Sequence, residues 1–226
     1  MMLPFSEANY NSRYGDLKKQ MIDMKKIIFN IGRQFGSGGR IVAEKLGQKL
    51  GIPVYDSKLI SRAAEESGFS PYLFRKTDET KSKFSLRSFF CSQDFGQPEN
   101  YVNSEELFKI QSAVIRNIAE KESAIIIGRC SDYILRDLDC TVNVFVCSPK
   151  ETRKATVSKR LGVSEEKAEE IMSKKDRSRE TYYNFFTFGN WGVASNYDLC
   201  IDSSVLGIEG TADFIIEFAR RAGKLD

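Results

Sequence analysis

The sequence predicts an α/β fold in which helices cover a parallel β-sheet, and three observations support this prediction. Five short apolar runs alternate with segments whose apolar residues recur at helical spacing. A glycine-rich turn joins the first apolar run to an amphipathic helix. The composition (226 residues, 41% hydrophobic, 29% charged) is typical of one globular domain with a substantial core.

The predicted strands are apolar runs bounded by polar residues or glycine: 27–31, 53–55, 123–127, 141–146 and 198–201. The helix after the first strand places Val42, Leu46 and Leu50 on one face, where they can pack against the sheet. A second helix is predicted over residues 104–121, with Ser104 as its N-cap. Because helices separate the strands, parallel connections are expected, and a ligand would bind beyond the carboxyl ends of the strands.

Residues 25–226 are expected to form a single domain. Residues 1–24 are polar and weakly periodic, so we expect a mobile N-terminal extension there. Residues 76–103 are also polar, and they interrupt the alternation of strands and helices. A loop of this length in a compact domain is more often functional than inert, and we interpret it as a flap near the substrate.

Composition also excludes several classes of protein. A net charge of +3 does not by itself indicate binding to nucleic acid or to a membrane surface, and no apolar run is long enough to span a bilayer. The N-terminus lacks the apolar core of a signal peptide, so a cytoplasmic location is expected. The five cysteines form no CxxC pair, and there is no histidine. A disulfide framework, a zinc site, and catalysis or metal binding by histidine are therefore not expected.

The glycine-rich turn predicts a phosphate-binding loop. Glycines free the backbone for close approach to a ligand, and the N–H groups at a helix N-terminus attract phosphate. The residues predicted to hold the phosphates of a nucleotide are Gly36, Ser37, Gly38, Gly39 and Arg40. The alternative is a glycine-rich turn that binds no ligand.

This loop departs from the common pattern GxxxxGK[ST]. Gly39 stands where that pattern has lysine, Arg40 stands where it has a hydroxyl residue, and the stretch from Gly32 to Gly38 is one residue longer. A cradle of backbone amides survives these changes. The missing cation must come from elsewhere, and Arg40 and Arg33 are the nearest candidates.

Three other polar residues follow predicted strands. Asp56 comes directly after the second strand, where it could bind a ligand or cap the next helix. Arg62 lies six residues further on, either facing a ligand or on a solvated helix face. Arg129 follows the third strand, between an apolar run and Cys130. Its planar guanidinium suits a phosphate or a base edge.

Ordered segments of the chain resemble the cytidylate kinase-like family and, more distantly, the bacterial cytidylate kinases. The segments are GRQFGSGGR, YDSKLISRAAEESG, IIIGRCSDYIL, DRSRETYY and YDLCIDSSVLGIE. The resemblance implies a three-layer P-loop kinase fold: a five-stranded parallel sheet, helices on both faces, a lid and an acceptor-binding subregion. It also implies transfer of a phosphoryl group from ATP, with Mg²⁺, to a nucleoside monophosphate.

The same resemblance implies roles for individual residues. Asp56 would contact the sugar or base edge of the acceptor, Arg62 its phosphate, and Arg129 would read the acceptor as well. The lid corresponds to about residues 150–185. Its members Arg153, Arg177 and Arg179 would act on the transferring group, and Asp176 would bind substrate. Arg40 is expected to act on the same group because of its place in the phosphate loop, not because of the resemblance.

Spacing adds two expectations for the lid. Arg153 and Arg160 are seven residues apart and should share a helix face, whereas Arg177 and Arg179 should not. After the lid, aromatic residues are expected to pack as core or hinge: Phe185, Phe186, Phe188 and Trp191. Asp202 and Ser203 are expected to cap the turn that follows the last strand.

The function predicted from the sequence is ATP-dependent phosphorylation of a nucleoside monophosphate, with CMP or dCMP as the expected acceptor. This chemistry needs no histidine, because the attacking phosphate oxygen is already anionic and catalysis rests on positioning and charge. Two alternatives stay open. One is a nucleotide-binding regulatory module with little or no turnover, and the other is a kinase for another small-molecule acceptor.

Overall fold

The computed structural model describes residues 25–66 and 101–226. The predicted extension 1–24 and residues 76–100 of the predicted flap lie outside the described residues. Five strands are present: β1 Ile28–Arg33, β2 Val54–Tyr55, β3 Ala124–Ile127, β4 Thr141–Cys147 and β5 Leu199–Asp202. The helices are α1 Gly39–Leu50, α2 Ser57–Glu66, α3 Tyr101–Lys121, α4 Ser131–Ile134, α5 Lys150–Leu161, α6 Glu165–Thr187 and α7 Ser203–Arg221, with a 3₁₀ turn at Ala194–Asn196.

The strands form one parallel sheet in the order β2-β3-β1-β4-β5. Strand β1 is central: Ile28 pairs with Ala124 of β3 on one side and with Thr141 of β4 on the other. All five strands expected from the sequence are present, and the predicted α/β class with a parallel sheet is confirmed. The carboxyl ends of the strands share one edge of the sheet, which is where ligands bind in such folds.

Helices cover both faces of the sheet, as the alternation of buried side chains along β1 requires. Phe29 and Ile31 pack with α1 and α7, whereas Ile28 points to the other face and packs with α2 and α3. Both faces of β1 are buried. This double burial explains why the strand appears in the sequence as an unbroken apolar run.

Two boundaries differ from the sequence prediction. Helix α3 begins at Tyr101, so Ser104 lies inside the helix and is not its N-cap, and the last three residues of the predicted flap are helical. Strand β1 extends to Arg33, which pairs with Val146 of β4. Gly32 and Arg33 do not continue the apolar run, so the sequence did not predict this extension. The extension places Arg33 at the edge of the sheet.

The predicted lid is a hairpin of two helices. Helix α5 ends at Leu161 and is capped by Gly162, whose φ of 65° suits glycine. Helix α6 begins after Ser164, whose side chain accepts a hydrogen bond from the Lys167 amide. The two helices enclose a small apolar cluster that includes Val157 and Met172. No helix in the described ranges has the length and apolar character needed to cross a membrane.

Candidate functional site

The backbone of the glycine-rich loop between β1 and α1 turns its carbonyl oxygens toward the protein. Arg179 Nη1 donates to the Arg33 oxygen at 3.0 Å, and Arg153 Nη1 donates to the Phe35 oxygen at 3.2 Å. The oxygen of Ser37 accepts from Ser203 Oγ at 2.5 Å, and the oxygen of Gly38 accepts from a backbone amide of α1.

Only some of the loop amides are used by the protein. The amides of Gln34, Phe35 and Ser37 donate to the Val146 oxygen, Asp176 Oδ1 and the Gln34 oxygen. In the part of the chain that the structure describes, the Gly36 and Gly38 amides have no acceptor. The Gly39 amide has only the Ser37 hydroxyl, at 3.4 Å. The first amides of α1 lack acceptors within the helix, as at every helix N-terminus. Free N–H groups at Gly36, Gly38 and the start of α1, beside bonded carbonyls, suit an anion cradle.

Glycine is required at two loop positions. Gly36 and Gly38 have φ angles of 85° and 76°, a region that other residues rarely adopt. A Cβ atom at Gly36 would also lie 2.8 Å from Val157 Cγ2, and one at Gly38 would lie 2.5 Å from Ile208 Cδ1. The loop therefore passes close to both α5 and α7, which only glycine allows.

Ser37 supports the loop from inside the protein. Its buried hydroxyl lies 3.0 Å from the backbone oxygens of both Gln34 and Val146. Ser203, at the start of α7, contacts the Ser37 oxygen, while Asp202 accepts from the Ser204 amide at 2.8 Å. Asp202 is therefore the helix N-cap expected from the sequence, and the hydroxyl of Ser37 is occupied by structural contacts.

Asp176 and Arg153 connect the lid hairpin to the tip of the loop. Asp176 Oδ1 accepts from the Phe35 amide at 2.7 Å, and Asp176 Oδ2 lies 2.7 Å from Arg153 Nη1. Arg153 also donates from Nε to the Ser148 oxygen at 3.1 Å. Both side chains are largely buried. Their polar atoms bind the loop and each other, which favours a positioning role, and the direct substrate role expected for Asp176 and Arg153 stays a prediction.

Phe35 is the apolar part of this connection. Its side chain packs against the cluster between α5 and α6, with the guanidinium carbon of Arg160 5.0 Å from its ring centroid. Arg153 and Arg160 therefore both contact Phe35, which confirms that they share a face of α5.

Arg177 is exposed, whereas Arg179 is half-buried, with its guanidinium carbon 5.5 Å from the centroid of the Phe35 ring. The two arginines occupy different faces of α6, as expected.

Three arginines converge near the carboxyl edge of the sheet. The pKa of Arg33 is well below its usual value because its guanidinium is buried and because the cations of Arg179 and Arg129 are near. The pKa of Arg179 is also lowered, first by burial and then by Arg129 and Arg160, although Asp176 opposes this. Repelling buried cations of this kind are stabilised by an anion.

Arg129 lies on an unusual turn after β3. Gly128, Arg129 and Cys130 have φ angles of 72°, 61° and 56°, so two non-glycine residues adopt the left-handed region in succession. Such strain costs about 1–3 kcal/mol per residue and is found most often at functional sites. The guanidinium carbon of Arg129 lies 5.5 Å from the centroid of the Tyr182 ring. The turn thus directs Arg129 toward α6.

Tyr182 links Arg129 to helix α3. Its hydroxyl donates to Gln111 Oε1 at 2.9 Å, and Gln111 is buried. Burial raises the pKa of Tyr182 far above its usual value, so the phenol stays a neutral donor. Gln111 and Tyr182 were not singled out in the sequence. A glutamine on the otherwise apolar face of α3 could have indicated that Gln111 has a buried hydrogen-bond partner.

Asp56 caps a helix and also pairs with Arg40. Its Oδ1 atom accepts from the Lys58 and Leu59 amides at 2.9 and 3.0 Å, which is the capping role that the sequence left open. Its Oδ2 atom lies 3.1 Å from Arg40 Nη2. Arg62 is exposed on the same helix, α2. The acceptor contacts expected for Asp56 and Arg62 stay predictions.

Arg40 does not take the position that the sequence suggested. The side chain is 61% exposed, and its Nε atom lies 3.0 Å from Glu44 Oε1. With Asp56 as its second partner, Arg40 is directed along α1 and toward α2. Its guanidinium is therefore held by two carboxylates rather than turned back over the phosphate loop, and the phosphate-binding and catalytic role expected for Arg40 stays a prediction.

The aromatic residues after the lid pack as expected, with one exception. Phe186 stacks on Phe108 with centroids 4.2 Å apart and meets Phe185 at 4.9 Å, and Trp191 contacts Phe145 at 5.3 Å. Phe188 is 93% exposed and takes a left-handed conformation at the end of α6. The expectation of packing is wrong for Phe188, because the position that ends the helix points its ring into solvent.

A buried carboxyl group lies beside this aromatic region. Tyr183 Oη donates to Asp132 Oδ2 at 2.8 Å. Burial raises the pKa of Asp132, and the hydrogen bond from Tyr183 partly opposes the increase. The pKa of Tyr183 rises too, by burial and by the neighbouring carboxylate. The pair fixes the end of α6 against α4.

Comparisons with known proteins agree with this geometry. The family described as the cytidylate kinase-like family matches residues 28–205. Cytidylate kinases of Methanobrevibacter smithii and Methanopyrus kandleri are both 25% identical to the chain, over 191 and 187 residues. These matches cover 84% and 79% of this chain, and 96% and 85% of those proteins.

Solved structures give the same result for the fold. The crystal structure of an uncharacterized protein from Eubacterium ventriosum is 30% identical, with a TM-score of 0.65, covering 86% of this chain and 99% of that one. Shikimate kinase from Bacteroides thetaiotaomicron has a TM-score of 0.51 at 12% identity, covering 87% and 99% of the two chains, and supports the fold alone. The chain has the P-loop kinase fold and belongs to the cytidylate kinase-like family.

Proposed function

We propose that this protein transfers the γ-phosphoryl group of ATP to a nucleoside monophosphate, with CMP or dCMP as the acceptor. The observation that carries the proposal is the loop between β1 and α1, whose carbonyls bind the protein while the Gly36 and Gly38 amides stay available. Arg129 and Arg179 lie near this loop and add positive charge. A cradle for a polyphosphate beside several guanidinium groups suits phosphoryl transfer.

The transfer requires little chemistry from side chains. An anionic phosphate oxygen of the acceptor attacks the γ-phosphorus, and the bond from that phosphorus to the bridging oxygen breaks to release ADP. The acceptor oxygen carries no proton that a base must remove, so a chain without histidine can serve. The protein contributes position and positive charge.

The donor phosphates would lie against the amides of residues 36–40. Among the described residues there is no cluster of three or more Asp, Glu, His or Cys side chains that could hold a metal ion. Magnesium is often bound mainly by nucleotide phosphates and water, and we infer that arrangement here. When bound, Mg²⁺ would neutralise charge on the transferring phosphates.

The acceptor would lie at the ends of β2 and β3. Arg129 offers a planar fork to a phosphate or a cytosine edge, and Asp56 and Arg62 are proposed to contact the same nucleotide. The cytidine class is inferred from the two relatives that are named cytidylate kinases. A cytoplasmic location also belongs to this proposal.

The lid arginines divide into two groups. Arg179 bonds the Arg33 oxygen and lies close enough to Arg129 to lower its own pKa, so we assign it to the transferring group. Arg153 and Asp176 act as positioning residues, since their contacts hold the Phe35 segment of the loop. Arg177 is exposed, and its action on substrate stays a prediction.

The proposal is tested by measuring ADP release from Mg·ATP with CMP, dCMP, UMP, AMP and GMP as separate acceptors. ADP formed only with a pyrimidine monophosphate would support both the reaction and the substrate class. ADP formed with none of the five, from protein whose folding is verified by circular dichroism, would contradict the proposal. Retained ATP binding in that case would favour the regulatory module expected as an alternative.

A further inference from the structure

The side chain of Arg33 lies next to Gly39, the position where the common pattern has lysine. It is the last residue of β1, and its side chain runs beside Gly39, the first residue of α1, which stands at the lysine position. A Cβ atom at Gly39 would lie 2.7 Å from Arg33 Cβ and 3.1 Å from Val146 Cβ. The main obstacle to a side chain at residue 39 is Arg33 Cβ, which any residue except glycine at position 33 would also present. The Cγ atom of Arg33 would lie 3.3 Å from the same point, so the arginine side chain continues alongside Gly39.

Gly128 lies next to the guanidinium end of the Arg33 side chain. A Cβ atom at Gly128, at the carboxyl end of β3, would overlap Arg33 Nη1. The side chain of Arg33 therefore extends along the sheet edge, from the phosphate loop to the turn that carries Arg129. Two glycines on different elements thus accommodate one arginine.

The guanidinium of Arg33 is poorly compensated by the protein. Among the described residues, no carboxylate lies within ion-pairing distance of it. The nearest charges include the cations of Arg179 and Arg129, which repel it, and Asp56 provides weaker compensation. Holding a buried guanidinium beside two other cations costs stability unless an anion binds there.

We propose that Arg33 supplies the charge that the P-loop lysine supplies in other P-loop kinases, contacting the donor phosphates from the end of β1. This inference rests on the proposed function for the identity of the donor. It explains why, among the described residues, the guanidinium of Arg33 lies beside two other cations and has no carboxylate within ion-pairing distance. Between the loop amides and Arg129, the planar fork of Arg33 can donate two hydrogen bonds to phosphate oxygens.

The test uses the full chain and measures binding without an acceptor. ATP and inorganic tripolyphosphate are titrated by calorimetry into wild type, Arg33→Met, Arg33→Lys and Arg221→Met. Arg221 is exposed at the end of α7 and serves as the matched control. We expect Arg33→Met to weaken both ligands at least about tenfold, Arg33→Lys to recover part of the loss, and Arg221→Met to bind as wild type does.

The melting temperature of the free proteins separates a binding role from a structural one. Removing a repelled, desolvated cation should leave the ligand-free Arg33→Met protein at least as stable as wild type. Wild-type affinity in Arg33→Met, or a melting temperature clearly below wild type together with lost binding, would overturn the inference. Arg33-dependent binding without product from any acceptor would instead contradict the proposed function and leave this inference standing.

Discussion

Arg179 Nη1 lies 3.0 Å from the backbone oxygen of Arg33, so the arginine-rich helix α6 is bonded directly to the strand that leads into the phosphate loop. The Asp176 contact with the Phe35 amide lies one helical turn earlier on the same helix. Through these two hydrogen bonds the lid hairpin and the loop form one connected unit. A shift of either element must therefore be transmitted to the other.

Replacing Arg129 or Arg179 by alanine should abolish most turnover while the fold persists. Both guanidinium groups lie at the sheet edge, and an arginine that stabilises a transferring phosphoryl group is worth about a thousandfold or more in rate. We expect kcat to fall at least about a hundredfold in each variant, measured by ADP release. Arg116→Ala, on the exposed face of α3, is the control. Unchanged turnover in both variants would refute the site.

Replacing Asp176 by alanine should destabilise the protein. The change leaves Arg153, whose side chain is only 12% exposed, without its carboxylate, and removes the acceptor of the Phe35 amide. Breaking a buried ion pair costs about 3 kcal/mol, which urea unfolding would measure. Glu217→Ala, which breaks the exposed pair with Arg221, should cost less than about 0.5 kcal/mol. Equal costs for the two variants would contradict this account.

The stability of the protein should depend on Asp132 in a pH range above the usual pKa of aspartate. Burial raises the pKa of Asp132, so the folded state keeps a proton that the unfolded chain has already released. The free energy of unfolding of wild type should therefore fall, relative to Asp132→Asn, as pH rises from about 4 through the raised pKa. Urea titrations of both proteins at several pH values measure this difference.

Tyr183→Phe provides the matched test of the same pair. The hydrogen bond from Tyr183 stabilises the Asp132 carboxylate and holds its pKa down. Removing the hydroxyl should extend the loss of stability to higher pH. Parallel stability curves for wild type and Asp132→Asn would show that Asp132 does not titrate differently in the folded state.

Replacing Gly39 by alanine should destabilise the protein, although alanine favours helices. The new Cβ would lie 2.7 Å from Arg33 Cβ, and such overpacking costs about 1–3 kcal/mol. Gly210→Ala within α7 is the control, because its Cβ meets only Leu206 Cβ at 3.2 Å, and its change should stay within about 1 kcal/mol. A stabilising Gly39→Ala variant would contradict the placement of Arg33. A lysine at residue 39 meets the same obstacle.

The sequence predicted the fold well because its signals are local. Each strand is an apolar run, and the alternation with helices determines the parallel sheet. The boundaries that differed involve polar residues: Ser104 lies inside α3, which begins at Tyr101, and Arg33 belongs to β1 because it pairs with Val146 of the distant strand β4. Such contacts leave no local pattern.

The site was predicted less completely, because charge alone does not reveal a partner. Arg40, Arg153 and Asp176 were identified as polar residues in suitable segments, but the structure engages them with carboxylates, carbonyls and a loop amide. Phe35 and Arg33 gave weak signals, since one is an aromatic residue in a polar turn and the other a charge at a strand end. Their significance depends on α5, α6 and β3, which lie about 90 to 150 residues away in the chain.

The most direct measurement is the formation of nucleoside diphosphate when the protein is incubated with Mg·ATP and CMP. Ion-pair chromatography would quantify CDP and ADP in the same sample, for wild type and for Arg129→Ala. We expect CDP and ADP in equal amounts from wild type and neither product above background from the variant. ADP without CDP, or no product from CMP or dCMP by folded protein that binds ATP, would contradict it.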